Sequence, residues 1–219
     1  MSPAFGDGSG RRKKEATIEA IINAAGDLLA EKMGSAPQAR EIAAKSGYSV
    51  GTIYNYFTSV GDVVSHLVLK RQTDSMKKIE AILLAHQCDQ PVDTLCAKIV
   101  ESIFAAHRAT DPIVLRFAYK MSVSQSASPE VHERVVDRLI QPITTAIRRD
   151  TTGTFRSYDD QGIAFFLRGI AYLCRYPLLE GSALYGTPDH QRMILTVMIR
   201  VMSQSAQGDG GRPLEPPAS

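Results

Sequence analysis

The sequence predicts an all-α protein, and three observations carry that prediction. Apolar residues recur at three- and four-residue spacing through most of the chain. No stretch sustains the alternation of period two that a half-buried strand requires. Ser, Asp and Pro stand at the starts of the periodic stretches, where helices prefer them.

About nine helices are expected. In the first, Ile18, Ile21, Ile22, Ala25, Leu28 and Leu29 line one face, and Gly34 supplies a stop. Ser35 with Gln38 reads as a capping box, with Pro37 in the first turn of a short helix over about 36–45. Gly47 interrupts it, and a second short helix runs from about Ser49 to Phe57. Ser59 with Asp62 opens a much longer helix reaching His86, about 40 Å long at 1.5 Å per residue. Five more helices complete the chain: Pro91 to Ala109, Asp111-Pro112 to Ser124, Ser128-Pro129 to Arg149, Tyr158 or Asp159 to Leu179, and Pro188-Asp189 to Ser205.

Composition narrows the function classes. The chain has 219 residues, 25 Lys+Arg against 23 Asp+Glu for a net charge of +2, and 44% apolar residues. That is an ordinary globular composition, so any DNA affinity must be local rather than global. The longest uninterrupted apolar runs are five residues, Ile163 to Leu167 among them, and fall far short of the roughly 20 residues a spanning helix needs, so no membrane segment is expected. With no apolar signal core behind the basic amino-terminal run, a cytoplasmic location is expected. Three scattered cysteines, Cys88, Cys96 and Cys174, read as reduced buried thiols. The five histidines show no metal-ligand spacing, no phosphate loop is present, and Asp159-Asp160 reads as helix-dipole complementation. Neither an enzyme, a metal site nor a cofactor is therefore expected. Residues 1–10 and 206–219, rich in Gly and Pro with Ser and Gln, are expected to be disordered tails.

The segment Ala36 to Phe57 carries the functional signal. Two short helices meet at Gly47, Ala43 is small where they cross, and Ile42, Tyr48, Ile53 and Tyr56 are spaced to be buried between them. This is a helix-turn-helix pattern. From Ser46 to Gly61 there is no charged residue, so the second helix offers Ser49, Gly51, Thr52, Tyr54 and Asn55 outward. Hydroxyls and backbone amides hold phosphate oxygens, Asn bonds an adenine edge, and a Thr methyl touches a thymine methyl. Arg11-Arg12-Lys13-Lys14, at the start of the first helix, reads as a phosphate or minor-groove arm. Three aromatics fall within Tyr54 to Phe57, so at least one, Tyr54, is expected to point outward.

Ala24-Ala25, Leu28-Leu29, Gly34, Arg40-Glu41-Ile42-Ala43, Ser46-Gly47-Tyr48-Ser49, Gly51-Thr52-Ile53-Tyr54 and Tyr56-Phe57 stand in an order and spacing that can be compared with a known family. The stretch from Ile18 to about Leu69 resembles the DNA-binding domain of the tetracycline-repressor (TetR) family of one-component bacterial regulators. The resemblance implies a helix-turn-helix domain over 11–58. It also implies a larger helical effector-binding and dimerisation domain over 59–205, joined by the helix that begins near 59. It implies phosphate contacts from Tyr54, Ser49 and Thr52, and base or backbone contacts from Gly51, Asn55 and Tyr56. Two departures stand out: Val60 occupies the place of a phosphate-gripping Lys, and Gln38 and Ala39 the place of Thr or Ser. Affinity is therefore expected to lean on Arg11 to Lys14, Arg40 and Lys45.

The implied function is a ligand-responsive repressor of a palindromic operator; the alternative is a helical adaptor acting through protein contacts. Arg168, Phe165 and Tyr172 on one helix, Arg116 and Tyr119 on another, and His107 on a third read in two ways. They form a mostly apolar effector pocket with polar anchors for an acidic small molecule, or the Arg side chains reach to solvent or bridge a dimer. The last two helices are apolar around much of their circumference, which points to a homodimer through a four-helix bundle.

Overall fold

A computed structural model describes residues 8–33, 35–125 and 134–204. Among them are nine α-helices: α1 (Gly8–Glu31), α2 (Ala39–Ser46), α3 (Val50–Tyr56), α4 (Val60–Leu84), α5 (Val92–Arg108), α6 (Pro112–Gln125), α7 (Ile140–Arg149), α8 (Asp160–Glu180) and α9 (Pro188–Met202). A 3-10 stretch, Val135–Leu139, leads into α7. The all-α expectation therefore holds, with one isolated antiparallel bridge between Phe155 and Ser203.

Several boundaries differ from expectation for identifiable reasons. Helix α1 begins at Gly8, inside the tail expected over residues 1–10, so Arg11 to Lys14 sit on its early turns. Gly34 lies outside the described residues; the left-handed residue beside it is Met33, with φ 49°. The cap of α2 falls three residues later than the Ser35–Gln38 pair. The Gln38 backbone N–H donates to the Glu41 carboxylate at 2.7 Å, and Pro37 precedes the helix, buried. The opening expected at Ser128 lies outside the described residues. From Val135 the chain is 3-10 and then α-helical, because Pro142 in the first turn of α7 has no N–H for the carbonyl four residues back.

Two apolar cores stack along α4. The amino-terminal core joins Ile21, Ala25 and Leu29 of α1 with Ile42, Ile53, Phe57, and Val63, Val64 and Leu67 of α4. Val114 and Ala118 of α6 complete it, so this core draws on residues well beyond 58. Gly26 lets α1 approach α4 closely: a Cβ there would stand 3.4 Å from both Leu67 methyls. The carboxyl core gathers Ile79 and Leu83 of α4 with Leu95, Val100 and Phe104 of α5, Ile143 of α7, and residues of α8 and α9. With 25 residues, α4 spans about 37 Å and belongs to both cores.

Helix α8 contains Pro177, which cannot donate to the Leu173 carbonyl four residues earlier. His190 of α9 supplies the missing proton. Its Nδ1 accepts from the Gly186 N–H at 3.3 Å, so its Nε2–H donates to the Leu173 carbonyl at 3.3 Å. A proline that would otherwise leave the Leu173 carbonyl without its helical partner is thus tolerated by one buried, neutral imidazole. By length and composition α8 meets the threshold for a spanning helix, contrary to the expectation from uninterrupted apolar runs. Its inner face, with Ile163, Leu167, Ile170 and Cys174, instead packs in the carboxyl core. Cys96 and Cys174 are buried unpaired thiols, whereas Cys88 is exposed rather than buried. Burial pushes both buried thiols up to about 12, so they stay protonated.

Candidate functional site: a projecting helix and an internal cavity

Helix α3 is held by its apolar side alone. Ile53 and the C-cap Phe57 are fully buried against α1 and α4, and Ile42 anchors α2 in the same core. Gly47 adopts φ 76°, the left-handed turn that lets α2 stop and α3 leave at an angle. The buried Thr17 hydroxyl donates to the Lys13 carbonyl at 2.9 Å and meets the Tyr48 hydroxyl at 3.4 Å, tying the turn to α1.

The opposite side of α3 faces solvent. Gly51, Tyr54 and Asn55 are exposed, Tyr54 by 52%, and Thr52 and Tyr56 are half-buried. Ser49 is also exposed, but its hydroxyl already works as the N-cap. It accepts from the Thr52 N–H at 3.0 Å and bonds the Thr52 hydroxyl at 2.9 Å. The two hydroxyls therefore form a pair, not two independent groups. The Lys14 ammonium lies 5.9 Å over the Tyr56 ring, which brings the basic run beside α3. Arg11 is paired with Glu15 at 3.0 Å, and Lys45 with Glu31 at 2.6 Å. The Glu31 contact holds the Lys45 ammonium above its ordinary range. These two cations are thus partly neutralised. Lys13, Lys14 and Arg40 are exposed and have no carboxylate within 4 Å among the described residues. Val60 opens α4, with its N–H end capped by Ser59, whose hydroxyl accepts from the Asp62 N–H at 3.1 Å.

Residues 21–66 match the family described as bacterial regulatory proteins, tetR family. The amino-terminal domain belongs to the TetR family. This TetR-type domain is a DNA-binding helix-turn-helix unit of transcription regulators. Over most of its length the chain shares a fold with solved regulators at low identity. A transcriptional regulator from Cytophaga hutchinsonii is 17% identical with a TM-score of 0.59, covering 85% of this chain and 98% of that one. SmeT, the repressor of the Stenotrophomonas maltophilia multidrug efflux pump SmeDEF, is 20% identical with a TM-score of 0.55, covering 91% and 96%. The fatty acid degradation regulator FadR from Bacillus halodurans is 17% identical with a TM-score of 0.55, covering 83% and 97%. No curated protein matches the chain.

Beyond the TetR-type domain, the carboxyl half holds a half-open cavity of about 400 Å³ lined by α4, α5, α6, the 3-10 stretch, α7, α8 and α9. Of the six residues expected to bind an effector, it brings together His107 and Tyr119 only. Phe165 is 82% exposed and Tyr172 is exposed, both on the outer side of α8. Arg168 is drawn away to Asp137, with its Nη2 at 2.7 Å from the carboxylate. Arg116 lies against the C-cap Gly181, whose φ of 72° ends α8. The physical reason is register. Phe165, Arg168 and Tyr172 share one face of α8, while Phe166, Leu167, Ile170, Cys174 and Arg175 turn inward to line the cavity. The periodicity of α8 would have separated the two faces had its buried side been known.

The cavity is polar at one end. The Gln72 amide donates to the Tyr119 hydroxyl at 3.4 Å, and the Arg175 guanidinium lies 6.0 Å over the Tyr119 ring. Burial raises the Tyr119 hydroxyl despite these neighbours. His107 packs against Phe104 and Tyr185, at centroid distances of 5.4 and 5.1 Å, and burial drives its imidazole down to about 4. Its Nδ1 and the Tyr185 hydroxyl are buried without a hydrogen-bond partner among the described residues. Among the described residues no group of acidic, His and Cys side chains could hold a metal ion.

Proposed function

We propose that this chain is a ligand-responsive transcription repressor of the cytoplasm, a homodimer that binds a palindromic operator and releases it when a small molecule enters the cavity. The observation that carries the reading is the exposed, uncharged face of α3 beside the basic first turns of α1. Gly51, Tyr54 and Asn55 meet the duplex directly, with Tyr56 beside them and the Ser49–Thr52 pair at the helix start on a phosphate. Lys13, Lys14 and Arg40 supply phosphate neutralisation, with lesser shares from Arg11, Arg12 and Lys45. The domain division at about residue 58 follows the same reading, with α4 as the joining element.

The outer faces of α8 and α9 support the dimer. Phe165, Tyr172, Leu173, Tyr176, Met193 and Val197 are all exposed apolar side chains of these two helices, more than a lone subunit gains by showing to water. Two-fold pairing there sets two α3 helices about one DNA turn apart. SmeT, named as the repressor of a multidrug efflux pump, lends weight to repression. Because α4 belongs to both cores, a ligand that shifts its carboxyl half pivots the TetR-type domain. A coupling of about 1–3 kcal/mol would change operator affinity roughly 5–150-fold. Gel-shift with the DNA flanking the coding region tests the reading: a retarded band abolished by Tyr54→Ala or Asn55→Ala supports it, and no retardation of any duplex refutes it.

A further inference from the structure

The carboxyl cavity holds a cation without a carboxylate at one end and hydrocarbon at the other. Arg175 lines the cavity from α8, half-buried, and among the described residues no carboxylate stands within 4 Å of it. The face of Tyr119 on α6 lies against its guanidinium. Arg71 of α4 lies within electrostatic reach of the same phenol and also lines the cavity. The Tyr119 hydroxyl spends one lone pair on a long contact from Gln72, which leaves its proton available. Asp74, the acidic residue at this end, is itself held by Lys77 at 3.2 Å. The far end is lined by Leu83, Leu95, Leu139, Ile143 and Met202, with no ionisable group among them. Along α4, Gln72 and Leu83 are about 16 Å apart at 1.5 Å per residue.

A guanidinium partly withdrawn from water and facing no carboxylate is an energetically incomplete arrangement. An anion with two oxygens completes it, since the planar fork and the phenol O–H both donate. We propose that the cavity takes an amphipathic organic monoanion, a carboxylate carried on an elongated apolar body, with its head on Arg175 and the Tyr119 hydroxyl and its tail toward Leu95 and Ile143. The inference rests on the reading of the cavity as the ligand site and adds the ligand's charge, its orientation and its anchors. It also gives the ligand a physical hold on the DNA-binding half. The head group touches α8 through Arg175 and α6 through Tyr119, and Tyr119 both bonds Gln72 of α4 and packs on the amino-terminal core.

Isothermal titration at pH 7.5 with decanoate, decan-1-ol and decyltrimethylammonium, each below its aggregation concentration, separates head-group charge from tail. Decanoate is expected to bind the full chain at least about tenfold more tightly than the alcohol, as a charge-assisted contact implies. Arg175→Gln is expected to erase that preference while leaving alcohol affinity within about twofold, and Tyr119→Phe to reduce it several-fold. Equal binding of decanoate and alcohol, or a preference for the ammonium, overturns the anion site while the cavity stands as a ligand site. Binding of none of the three overturns both. A decanoate preference that survives Arg175→Gln also overturns the assignment. If that variant does not fold, the three-probe comparison on the unaltered chain still decides.

Discussion

Acid should destabilise this protein through His107, and the size of the effect can be worked out. The ring is packed between Phe104 and Tyr185, and burial lowers its pKa from 6.5 to about 4, with His190 adding to the shift. The folded chain therefore takes up this proton only near pH 4, while the unfolded chain takes it up near pH 6.5. Between those values the unfolded state holds more protons, so stability falls as pH falls and is fully retained above about 6.5. At about 1.36 kcal/mol per pH unit, the loss reaches about 2 kcal/mol at pH 5 and about 3 kcal/mol at pH 4. Urea denaturation of the unaltered chain and of His107→Leu, at pH 7.5, 6.5, 5.5 and 4.5 and one protein concentration, isolates the contribution. Carboxylates and His190 titrate in both chains and cancel to first order in the difference. The variant should lose less stability than the parent below pH 6.5, by about 2 kcal/mol at pH 5. Parallel pH profiles would show that the imidazole is hydrated in the folded state and refute the reasoning.

Other outcomes rest on the same packing. Ile53→Ala empties a fully buried position between α3 and α4 and should cost about 2–5 kcal/mol by chemical denaturation. Ser49→Ala removes the N-cap of α3 and should cost about 1 kcal/mol, with a larger loss in DNA affinity than in stability. Phe165→Asp, on the exposed face of α8, should leave the fold intact by circular dichroism and turn a dimer into a monomer in sedimentation equilibrium. Operator affinity should depend only modestly on salt. Lys13, Lys14 and Arg40 of two protomers make six cations, for a log–log slope of about −5. A slope of about −9 or steeper would mean that the paired Arg11 and Lys45 give up their carboxylates on DNA.

The amino-terminal half was largely legible in the sequence because its signals are local. Gly47 does take the left-handed turn, Ser59 does cap α4 through the Asp62 N–H, and Ile42 and Ile53 are buried at the spacing read for them. The error at α2 is also local: both Ser35–Gln38 and Gln38–Glu41 satisfy the capping pattern, and only the observed bond chooses between them. The cavity was far less legible, because its lining is drawn from six helices and the 3-10 stretch, which are far apart in the chain. Reading α8 as a helix did not say which of its faces turns inward. The sequence therefore offers no ground for choosing Phe166 and Arg175, which line the cavity, over the exposed Phe165 and Tyr172. The pairing of Pro177 with His190 was invisible for the same reason, since the freed carbonyl and its donor are 17 residues apart in the chain.

Whether α3 reads a duplex is tested most directly by selecting binding sites from a random double-stranded pool. One palindrome should be enriched, its half-site centres about one helical turn apart, and the enrichment should be lost in Tyr54→Ala. A pool that remains unenriched with the folded, dimeric protein would contradict a DNA-reading role for this helix.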